Sequence, residues 1–328
     1  MRTYHDPIKT SENVAFNAIF HGYVDKTVKK PIMCYMAKTP VAFNKINTLR
    51  GRYYKASLGK EALITLVSEA EIADHVYNSN AIENSTLSLE ETEKILLQID
   101  LDRYISEREL FEAKNLARVV SYIDKRSKEQ ELGPEVILSL HNMLLSNIRD
   151  EIAGRFRSGD ERVRVGSHIA PPAQEIEGSL EKMFSEYNAT THENIIKRIA
   201  RLHLAFEYLH PFNDGNGRIG RVINNYQLIR EGFVPINIKF IDRKKYYDAF
   251  KEFDEKGTTG IMEEIVAKAL TNSYHKRLAY LEGKKIVTLS DYAKSNKISH
   301  SNLINKATRQ TIEAFLEKGV WKIGEEQK

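Results

Sequence analysis

The sequence contains a single cysteine, Cys34, and therefore cannot form an internal disulfide. Cys34 has no second cysteine at metal-ligand spacing, so we interpret it as a small core residue. No apolar run approaches the roughly 20 residues that a membrane helix needs. The N-terminal segment also lacks the basic start and apolar block of a signal peptide. These absences predict a cytoplasmic protein with no membrane association.

The chain also carries little net charge, only +4 over 328 residues. Bulk electrostatics therefore do not require a nucleic-acid partner. Charged residues make up 29% of the chain, which fits a water-facing surface, and the sequence has neither an internal repeat nor a low-complexity segment. At roughly 100–200 residues per domain, the length predicts about two domains.

Most of the chain shows the apolar spacing of helices, starting at about Gly59. The residues before it are mixed, and Pro31 and Pro40 predict turns around a short extended piece. Nine segments between Gly59 and Gly283 predict helices. Ser88 is a candidate N-cap for one of them.

Two segments depart from this helical pattern. "GRFRSGDERVRVGSHIAPPAQEI" alternates Val163, Val165 and Ile169 with polar residues, which predicts a short exposed hairpin. After Gly283, two short helical segments and two strand-like pieces predict a winged helix-turn-helix. We therefore expect a mainly α fold in three parts: an N-terminal region 1–58, a helical domain 59–283 and a small winged-helix-like domain 284–328.

The string "HPFNDGNGRIGR", from His210 to Arg221, concentrates the reactive residues between two helical segments. Glycines let the backbone approach a ligand, and the N–H groups at a helix start bind anions. Asn216 adds a side-chain amide donor. Arg218 and Arg221 share one helical face, and guanidinium groups suit phosphate oxygens. The string therefore predicts a polyphosphate site.

Two residues of the string suggest chemistry beyond binding. A carboxylate at Asp214 would compete with phosphate unless it held a cation, and Mg²⁺ prefers carboxylate, water and phosphate ligands. His210 alone in the string has an ordinary pKa near neutrality, so it is the candidate general base. Pro211 and Phe212 look like structural supports beneath the loop.

The string resembles the Fic-domain signature at every position, and the resemblance extends roughly from Lys60 to Ala279. It implies a Fic-type helical bundle that transfers AMP from ATP to a Ser, Thr or Tyr hydroxyl of a target protein, or of itself. It also implies that His210 takes the hydroxyl proton and that Asp214 holds Mg²⁺ across the α- and β-phosphates. Glycine and asparagine would cradle the phosphates, and the arginines would hold the β- and γ-phosphates. The residues placed at the nucleotide in this way are Asp214, Gly215, Asn216, Gly217, Arg218, Ile219, Gly220 and Arg221.

The hairpin and a tyrosine pair fit the same resemblance. The family has a flap that lays a target segment alongside the site by strand addition, although a plain surface hairpin is the alternative. Tyr246 and Tyr247 lie where the family often contacts the nucleoside. Asp254 stands where some relatives have an asparagine near the adenine, so the sequence departs from the family there. The residues that resemble the flap are Val165, Gly166, Ser167 and His168.

The segment "SNAIEN" resembles the inhibitory motif of one Fic class, through Ser79, Glu83 and Asn84. The motif would lie in a helix around residues 70–84. The resemblance implies that Glu83 pairs with Arg221, removes the γ-phosphate ligand and lowers ATP binding. A solvated glutamate on a helix is the alternative.

Other functions stay open at this point. Doc-type relatives phosphorylate their targets, but they carry lysine where this chain has Gly217. Removal of AMP from a modified target would use the same site, with Glu83 orienting a water. The C-terminal helices could bind DNA phosphates through Lys297, Lys306 and Arg309, or bind protein instead. Homo-oligomers are common in the family, and we expect one here.

Overall fold

A computed structural model describes residues 38–166 and 168–326 of the chain. Cys34 and Pro31 lie outside these residues, so their interpretations stay predictions. The described residues form twelve α-helices: α1 (Lys38–Ser57), α2 (Glu61–Ile82), α3 (Leu89–Leu96), α4 (Glu107–Glu129), α5 (Pro134–Leu145), α6 (Ile176–Ala189), α7 (Ile195–Leu209), α8 (Asn216–Arg230), α9 (Arg243–Lys256), α10 (Gly260–Leu281), α11 (Leu289–Asn296) and α12 (His300–Thr308). They also form five short strands: β1 (Arg164–Val165), β2 (His168–Ile169), β3 (Lys285–Thr288), β4 (Ala314–Glu317) and β5 (Val320–Glu325).

Local signals explain where several helices begin. Ser88 and Ser106 each form a capping box, in which the serine side chain and a glutamate three residues later satisfy each other's backbone N–H groups. Pro134 is the first residue of α5, a position where a helix needs no N–H donor. The predicted cap at Ser88 is confirmed.

The large core is built around the antiparallel pair α7 and α8. The pair packs against α4 on one side and α10 on another, and α6 and α9 cover the remaining faces of α7. Phe206 and Ile223 are fully buried at the centre of this core. The loop between the two helices is therefore held by the most heavily packed elements of the molecule.

Helix α1 corrects the interpretation of the segment before Tyr54. Pro40 lies in the first turn of α1, so the turn predicted at this proline is wrong, whereas most of the extended piece predicted before it lies outside the described residues. A proline is tolerated there because the first N–H groups of a helix have no intrahelical acceptor. Ile46 and Leu49 bury α1 against the helical body, so packing stabilises a helix whose own pattern is weak.

The C-terminal segment has a small apolar core of its own. Two helices, α11 and α12, precede β4, and β5 pairs antiparallel with both β3 and β4. The core residues are Leu289, Ala293, Leu303, Ala307 and Ala314. The two helices and two of the strands match the predicted elements, whereas β3 was not predicted. A winged-helix identity, DNA binding and the three-part domain division stay predictions.

None of the helices in the described part of the chain combines the length and apolar character needed to cross a bilayer. The cytoplasmic location stays a prediction. The mainly α architecture with a short hairpin is confirmed by the helices and by the antiparallel pairing of β1 with β2.

Candidate active site

The loop of residues 210–215 joins α7 to α8, and its two ends have left-handed backbone conformations. His210 has φ of 43° and Gly215 has φ of 79°. Gly215 takes this angle without steric cost because it lacks a Cβ atom. The turn leaves the first N–H groups of α8 without intrahelical acceptors, which makes this helix end a binding site for anions.

The side chain of Asn216 closes this loop. Its Oδ1 atom accepts from the N–H of Phe212 at 2.9 Å, and its Nδ2 atom donates to the carbonyl of Phe212 at 2.8 Å. Asn216 is only 4% exposed. This bond uses one of the two N–H donors of the side-chain amide, so the expected role of Asn216 as a phosphate donor stays a prediction.

His141 supports the loop from beneath. Its Nδ1 atom accepts from the N–H of Gly154 at 3.1 Å, so Nε2 carries the ring proton and donates to the carbonyl of Asp214 at 3.0 Å. The ring stacks on Phe212 with 3.7 Å between centroids. Burial lowers the pKa of His141 to about 4, which keeps the ring neutral in this arrangement.

Arg157 holds the end of α7. Its guanidinium donates to the carbonyls of His210 at 2.7 Å, Leu209 at 3.2 Å and Pro171 at 3.0 Å. The backbone N–H of Arg157 donates to the carbonyl of Pro211 at 2.9 Å. These bonds fix the backbone that presents His210 to the site.

His210 is oriented to accept a proton. Its Nδ1 atom donates to the carbonyl of Glu207, which leaves Nε2 as the acceptor in the neutral ring. The side chain is 13% exposed and borders the cleft described below. Burial lowers its pKa, so the ring is neutral at physiological pH and can act as a base.

Asp214 belongs to a group of two acids and two arginines. Its carboxylate lies 3.3 Å from Arg218 and 3.3 Å from Arg108. Glu112 pairs with the same arginines at 3.2 Å and 3.1 Å. This alternation of charges holds Arg218, which is 4% exposed, at the edge of the cleft.

Asp214 fits the expected Mg²⁺ ligand. Its side chain is 25% exposed and borders the cleft. Within residues 38–166 and 168–326, no group of three or more histidine, cysteine or acidic side chains could form a metal cage. An ion at Asp214 would therefore take its other ligands from water and phosphate, which is the coordination that Mg²⁺ prefers.

Arg221 is engaged by four groups at the back of the cleft. Glu83 lies 2.9 Å from its Nη2 atom, so the pairing expected from the sequence is present. Ser79 accepts through its hydroxyl at 3.0 Å and its carbonyl at 2.9 Å, and the hydroxyl of Tyr246 accepts at 3.1 Å. Glu83 is the C-cap of α2, one residue beyond the helix in which the motif was expected to lie.

Gly217 makes the approach of Glu83 possible. A Cβ atom at this position would lie 2.2 Å from Oε1 of Glu83 and 3.2 Å from Nη1 of Arg221. The carboxylate of Glu83 therefore lies directly against the first turn of α8. A phosphate bound at this helix end would meet that negative charge.

These groups surround one cleft of about 230 Å³. Its lining is mostly polar and comes from four parts of the chain, so tertiary packing brings them together. The cleft is lined by Asn80, Glu83, Arg108, Glu112, Val163, Val165, His210, Asn213, Asp214, Gly215, Asn216, Gly217 and Arg218.

Two residues of the signature face away from this cleft. Ile219 is fully buried in the apolar core. A Cβ atom on Gly220 would lie 2.5 Å from Glu207 and 3.1 Å from His203, so this glycine lets α8 pack closely on α7. Their expected contact with the nucleotide is corrected, because the helical period turns both toward the protein interior.

Tyr246 lies behind Arg221 and not at the cleft surface. It is 1% exposed, and its hydroxyl also contacts Nε2 of His203 at 2.8 Å. A direct nucleoside contact is thus corrected to a supporting role. Tyr247 is 37% exposed, and its hydroxyl donates to the carbonyl of Ile82 at 3.3 Å, so its predicted nucleoside contact stays a prediction.

Asn84 ends the segment predicted to be inhibitory and has φ of 70°, a left-handed conformation that asparagine tolerates. Its Oδ1 atom accepts from Arg243 at 2.6 Å, and the guanidinium of Arg243 lies 5.4 Å from the centre of the Tyr247 ring. These contacts tie the end of α2 to α9.

The hairpin stands beside His210. Val165 is 41% exposed and lines the cleft, whereas Ile169 is 56% exposed on the second strand. Gly166 turns the chain with φ of 61°. Ser167 lies outside the described residues, so its role stays a prediction.

His168 anchors this hairpin to the helical body. Its Nε2 atom contacts the carbonyl of Tyr208 at 2.8 Å, and its Nδ1 atom lies 3.6 Å from Asp254. Asp254, which departs from the family pattern, is therefore a neighbour of the flap.

Four residues of the site were missed by sequence reasoning: Arg108, Glu112, His141 and Arg157. Arg108 and Glu112 form an ordinary helical pair four residues apart, with no local sign of function. His141 left a weak signal, as a lone polar residue on the buried face of α5. None of these residues is near the signature in sequence.

Part of the chain, including the loop of this site, matches a known protein family. Residues 131–228 match the model of the Fic/DOC family. The chain carries a Fic domain. The Fic match contains the loop, His141, Arg157 and most of α8, whereas Glu83 and its helix precede it.

Curated relatives that this chain matches are named "Protein adenylyltransferase Fic". The relative from Nematostella vectensis is 30% identical over 62% of this chain and 48% of its own length. The relative from Aedes aegypti is 30% identical over 65% of this chain and 43% of its own. The chain thus spans about half the length of the curated relatives it matches.

Solved structures confirm the Fic fold. Fic-1 (residues 134–508) from C. elegans superposes with a TM-score of 0.63 at 24% identity, covering 75% of this chain and 74% of that one. A Fic family protein from Desulfovibrio desulfuricans G20 gives a TM-score of 0.58 at 18% identity and covers 93% of this chain and 99% of that one. The predicted Fic-type helical bundle is therefore confirmed.

Proposed function

We propose that this Fic domain transfers AMP from ATP to a hydroxyl group of a target protein. The observation that carries the proposal is the convergence of three groups on one cleft. These are a neutral imidazole with a free Nε2 atom at His210, the N-terminus of α8, and the guanidinium of Arg218. The curated relatives, which are named adenylyltransferases, support the same activity.

In the proposed reaction, Nε2 of His210 takes the proton of the target hydroxyl as its oxygen attacks the α-phosphorus. The bond from the α-phosphorus to the bridging oxygen breaks, and pyrophosphate leaves. The N–H groups at the start of α8, with Arg218 and Arg221, stabilise the negative charge that shifts to the leaving phosphates. Mg²⁺ held by Asp214 would neutralise phosphate charge and orient the phosphates. Positioning and charge stabilisation are thus the main contributions of the protein.

We also propose that Glu83 restrains this activity. Its carboxylate occupies Arg221 and lies against Gly217, where the triphosphate would bind. A charge-assisted hydrogen bond contributes about 1.5–3 kcal/mol, so displacing it would weaken ATP binding roughly tenfold or more. Removal of Glu83 leaves Ser79 and Tyr246 to hold Arg221 in place.

The hairpin is the proposed docking site for the target. Val165 lines the cleft next to His210, and the short strands have unpaired edges that could add a strand of target. Exposed Ile169 would contribute an apolar contact.

Labelling with ATP tagged on its α-phosphate tests these proposals in a cell lysate. Wild type should label weakly, Glu83→Gly at least about tenfold more strongly, and Glu83→Gly/His210→Ala not at all. Glu83→Gly/Ile169→Asp should label targets less while binding ATP equally. Absence of labelling by every variant would reject the transferase proposal. Equal labelling by wild type and Glu83→Gly would reject only the restraint by Glu83.

A further inference from the structure

A buried carboxyl group lies directly behind the proposed base. Glu207 is one helical turn before His210 on α7 and is 6% exposed. Its Oε2 atom lies 3.9 Å from Nδ1 of His210. Its Oε1 atom is buried without a hydrogen-bond partner, in the space that the missing side chain of Gly220 leaves open. A buried and partly unsatisfied carboxyl group is costly, which makes a purely structural role a poor explanation.

A row of buried polar groups runs from Arg221 through Tyr246 to His203 and ends next to Glu207, without a hydrogen bond between the last two. Arg221 can only donate hydrogen bonds, so the hydroxyl oxygen of Tyr246 accepts from Arg221. The same hydroxyl donates a hydrogen bond to Nε2 of His203. The proton of neutral His203 is then on Nδ1. This atom and Oε1 of Glu207 both lie next to Gly220, at 3.3 Å and 2.5 Å from the position that a Cβ atom would take there.

The charged and titratable neighbours of Glu207 come from α2, α7, α8 and α9. They are Glu83, His203, His210, Arg221 and Tyr246. Burial raises the pKa of Glu207 to about 8, with a further contribution from Glu83 and an opposing one from Arg221. The carboxyl group is therefore largely protonated at neutral pH and ionises on the alkaline side.

We propose that Glu207 is a positioning residue whose carboxylate stabilises the imidazolium of His210. This inference rests on the proposed function, in which His210 becomes charged when Nε2 takes the target proton. The N–H at Nδ1 stays on the carbonyl of Glu207, and the side chain supplies a negative charge 3.9 Å away. Glu207 has already lost its own proton to solvent when the transfer step begins. An ionised Glu207 raises the basicity of His210 and stabilises the charge that develops on it.

The inference predicts a second rise in transfer rate as pH increases through the ionisation of Glu207. Glutamine at this position has the same shape and cannot ionise. In the Glu83→Gly background, Glu207→Gln should remove the alkaline rise and slow transfer about tenfold, the equivalent of one unit in the pKa of His210. ATP affinity should not change, because the side chain does not line the cleft.

The test uses the full chain, the tagged-ATP assay from pH 6 to about 9.5, and NMR titration of the His210 ring assigned with a His210→Asn variant. Glu186→Gln is the matched control, since burial also raises the pKa of Glu186 but it lies on α6, outside the cleft lining. In the parent, the His210 ring resonances should shift a second time on the alkaline side as Glu207 ionises, and loss of this second shift in Glu207→Gln supports the inference.

Identical alkaline shifts of the His210 ring resonances in Glu207→Gln and in its parent would overturn it, whatever the rates. The NMR titration is independent of catalysis. If the Glu83→Gly parent transfers no AMP at any pH, the proposed function fails, while the NMR result still decides the electrostatic link between Glu207 and His210.

Discussion

Two glutamates of the α2 segment pair with arginines, Glu71 at the middle of the helix and Glu83 at its C-cap, and the two pairs differ in burial. Glu71 contacts Arg277 through both carboxylate oxygens and lies 3.4 Å from Lys276, and all three side chains are at most 9% exposed. Glu83 makes one contact with Arg221 at 2.9 Å, and its side chain is 35% exposed at the cleft. We call the first the anchor pair and the second the latch pair.

The difference shows how one helix can be fixed at its middle and releasable at its C-terminal end. Removing either partner of the anchor pair would leave a charge buried without compensation. In the latch pair, the Glu83 side chain is exposed to water at the cleft. Arg221 would keep its hydrogen bonds to Ser79 and Tyr246 without Glu83. Release of Glu83 therefore needs no unfolding of α2.

The anchor also reaches the C-terminal segment. Lys276 lies 2.5 Å from Glu317 on β4, and Glu317 lies 2.7 Å from Lys322 on β5. Lys318, in the turn between these strands, lies 2.6 Å from Glu93 on α3. Glu71 on α2 thus belongs to the same network of ion pairs as Glu317 and Lys322 of the C-terminal sheet.

The largest expected effect comes from breaking the anchor. Arg277→Met keeps much of the side-chain volume but leaves Glu71 short of its main partner. We expect a loss of about 3–5 kcal/mol in the free energy of unfolding, measured by urea denaturation. Lys244→Met, which removes an exposed pair with Asp248, is the control and should have no measurable effect. A loss below about 1 kcal/mol for Arg277→Met would remove the distinction between anchor and latch.

Breaking the latch should change binding more than stability. Glu83→Gln removes the charge but keeps the shape. We expect the free energy of unfolding to change by less than about 1 kcal/mol, because the glutamine oxygen can still accept from Arg221 and only the charge of a partly exposed carboxylate is lost. ATP affinity, measured by calorimetry with Mg²⁺, should rise roughly tenfold. Glu90→Gln, at an exposed position on α3, should alter neither quantity. An unchanged ATP affinity for Glu83→Gln would contradict the latch.

A smaller effect should appear in the pH dependence of stability. His75 lies near the anchor, and burial lowers its pKa to about 4 from an ordinary value of 6.5. Between these values the unfolded chain binds a proton that the folded chain does not, so stability falls as pH decreases from about 6.5 to 4. One such histidine contributes up to about 1.4 kcal/mol per pH unit.

His75→Asn should make this slope shallower by up to one proton, as measured by urea denaturation at several pH values. His192→Asn is the matched control, because His192 is exposed in the connection before α7. An identical slope in His75→Asn and wild type would show that the buried ring does not resist protonation.

Much of the site was predictable because its chemistry is local. The string from His210 to Arg221 combines a glycine turn, a helix start and two arginines, and backbone rules determine how such a string folds. The pair between Glu83 and Arg221 was also predicted, although the residues are 138 positions apart. That prediction came from the resemblance to a Fic class and not from local pattern.

Other parts were predicted incorrectly because the same residue type can serve packing or binding. Ile219 and Gly220 lie within the signature, yet both face the protein interior. Tyr246 is likewise buried behind Arg221. Helix α1 was missed because its apolar pattern is weak and its packing partner, α10, is distant in sequence.

The sequence by itself determined the helical character of the chain, the glycine-containing turn before α8 and the choice of His210 as the candidate base, since each depends on residues within a few positions of one another. Only the tertiary structure decided which groups surround that turn. Arg108, His141, Arg157 and Glu207 meet it through the packing of α4, α5 and α7 around α8. Burial, which shifts the pKa of His210 and of Glu207 in opposite directions, exists only after that packing has excluded water.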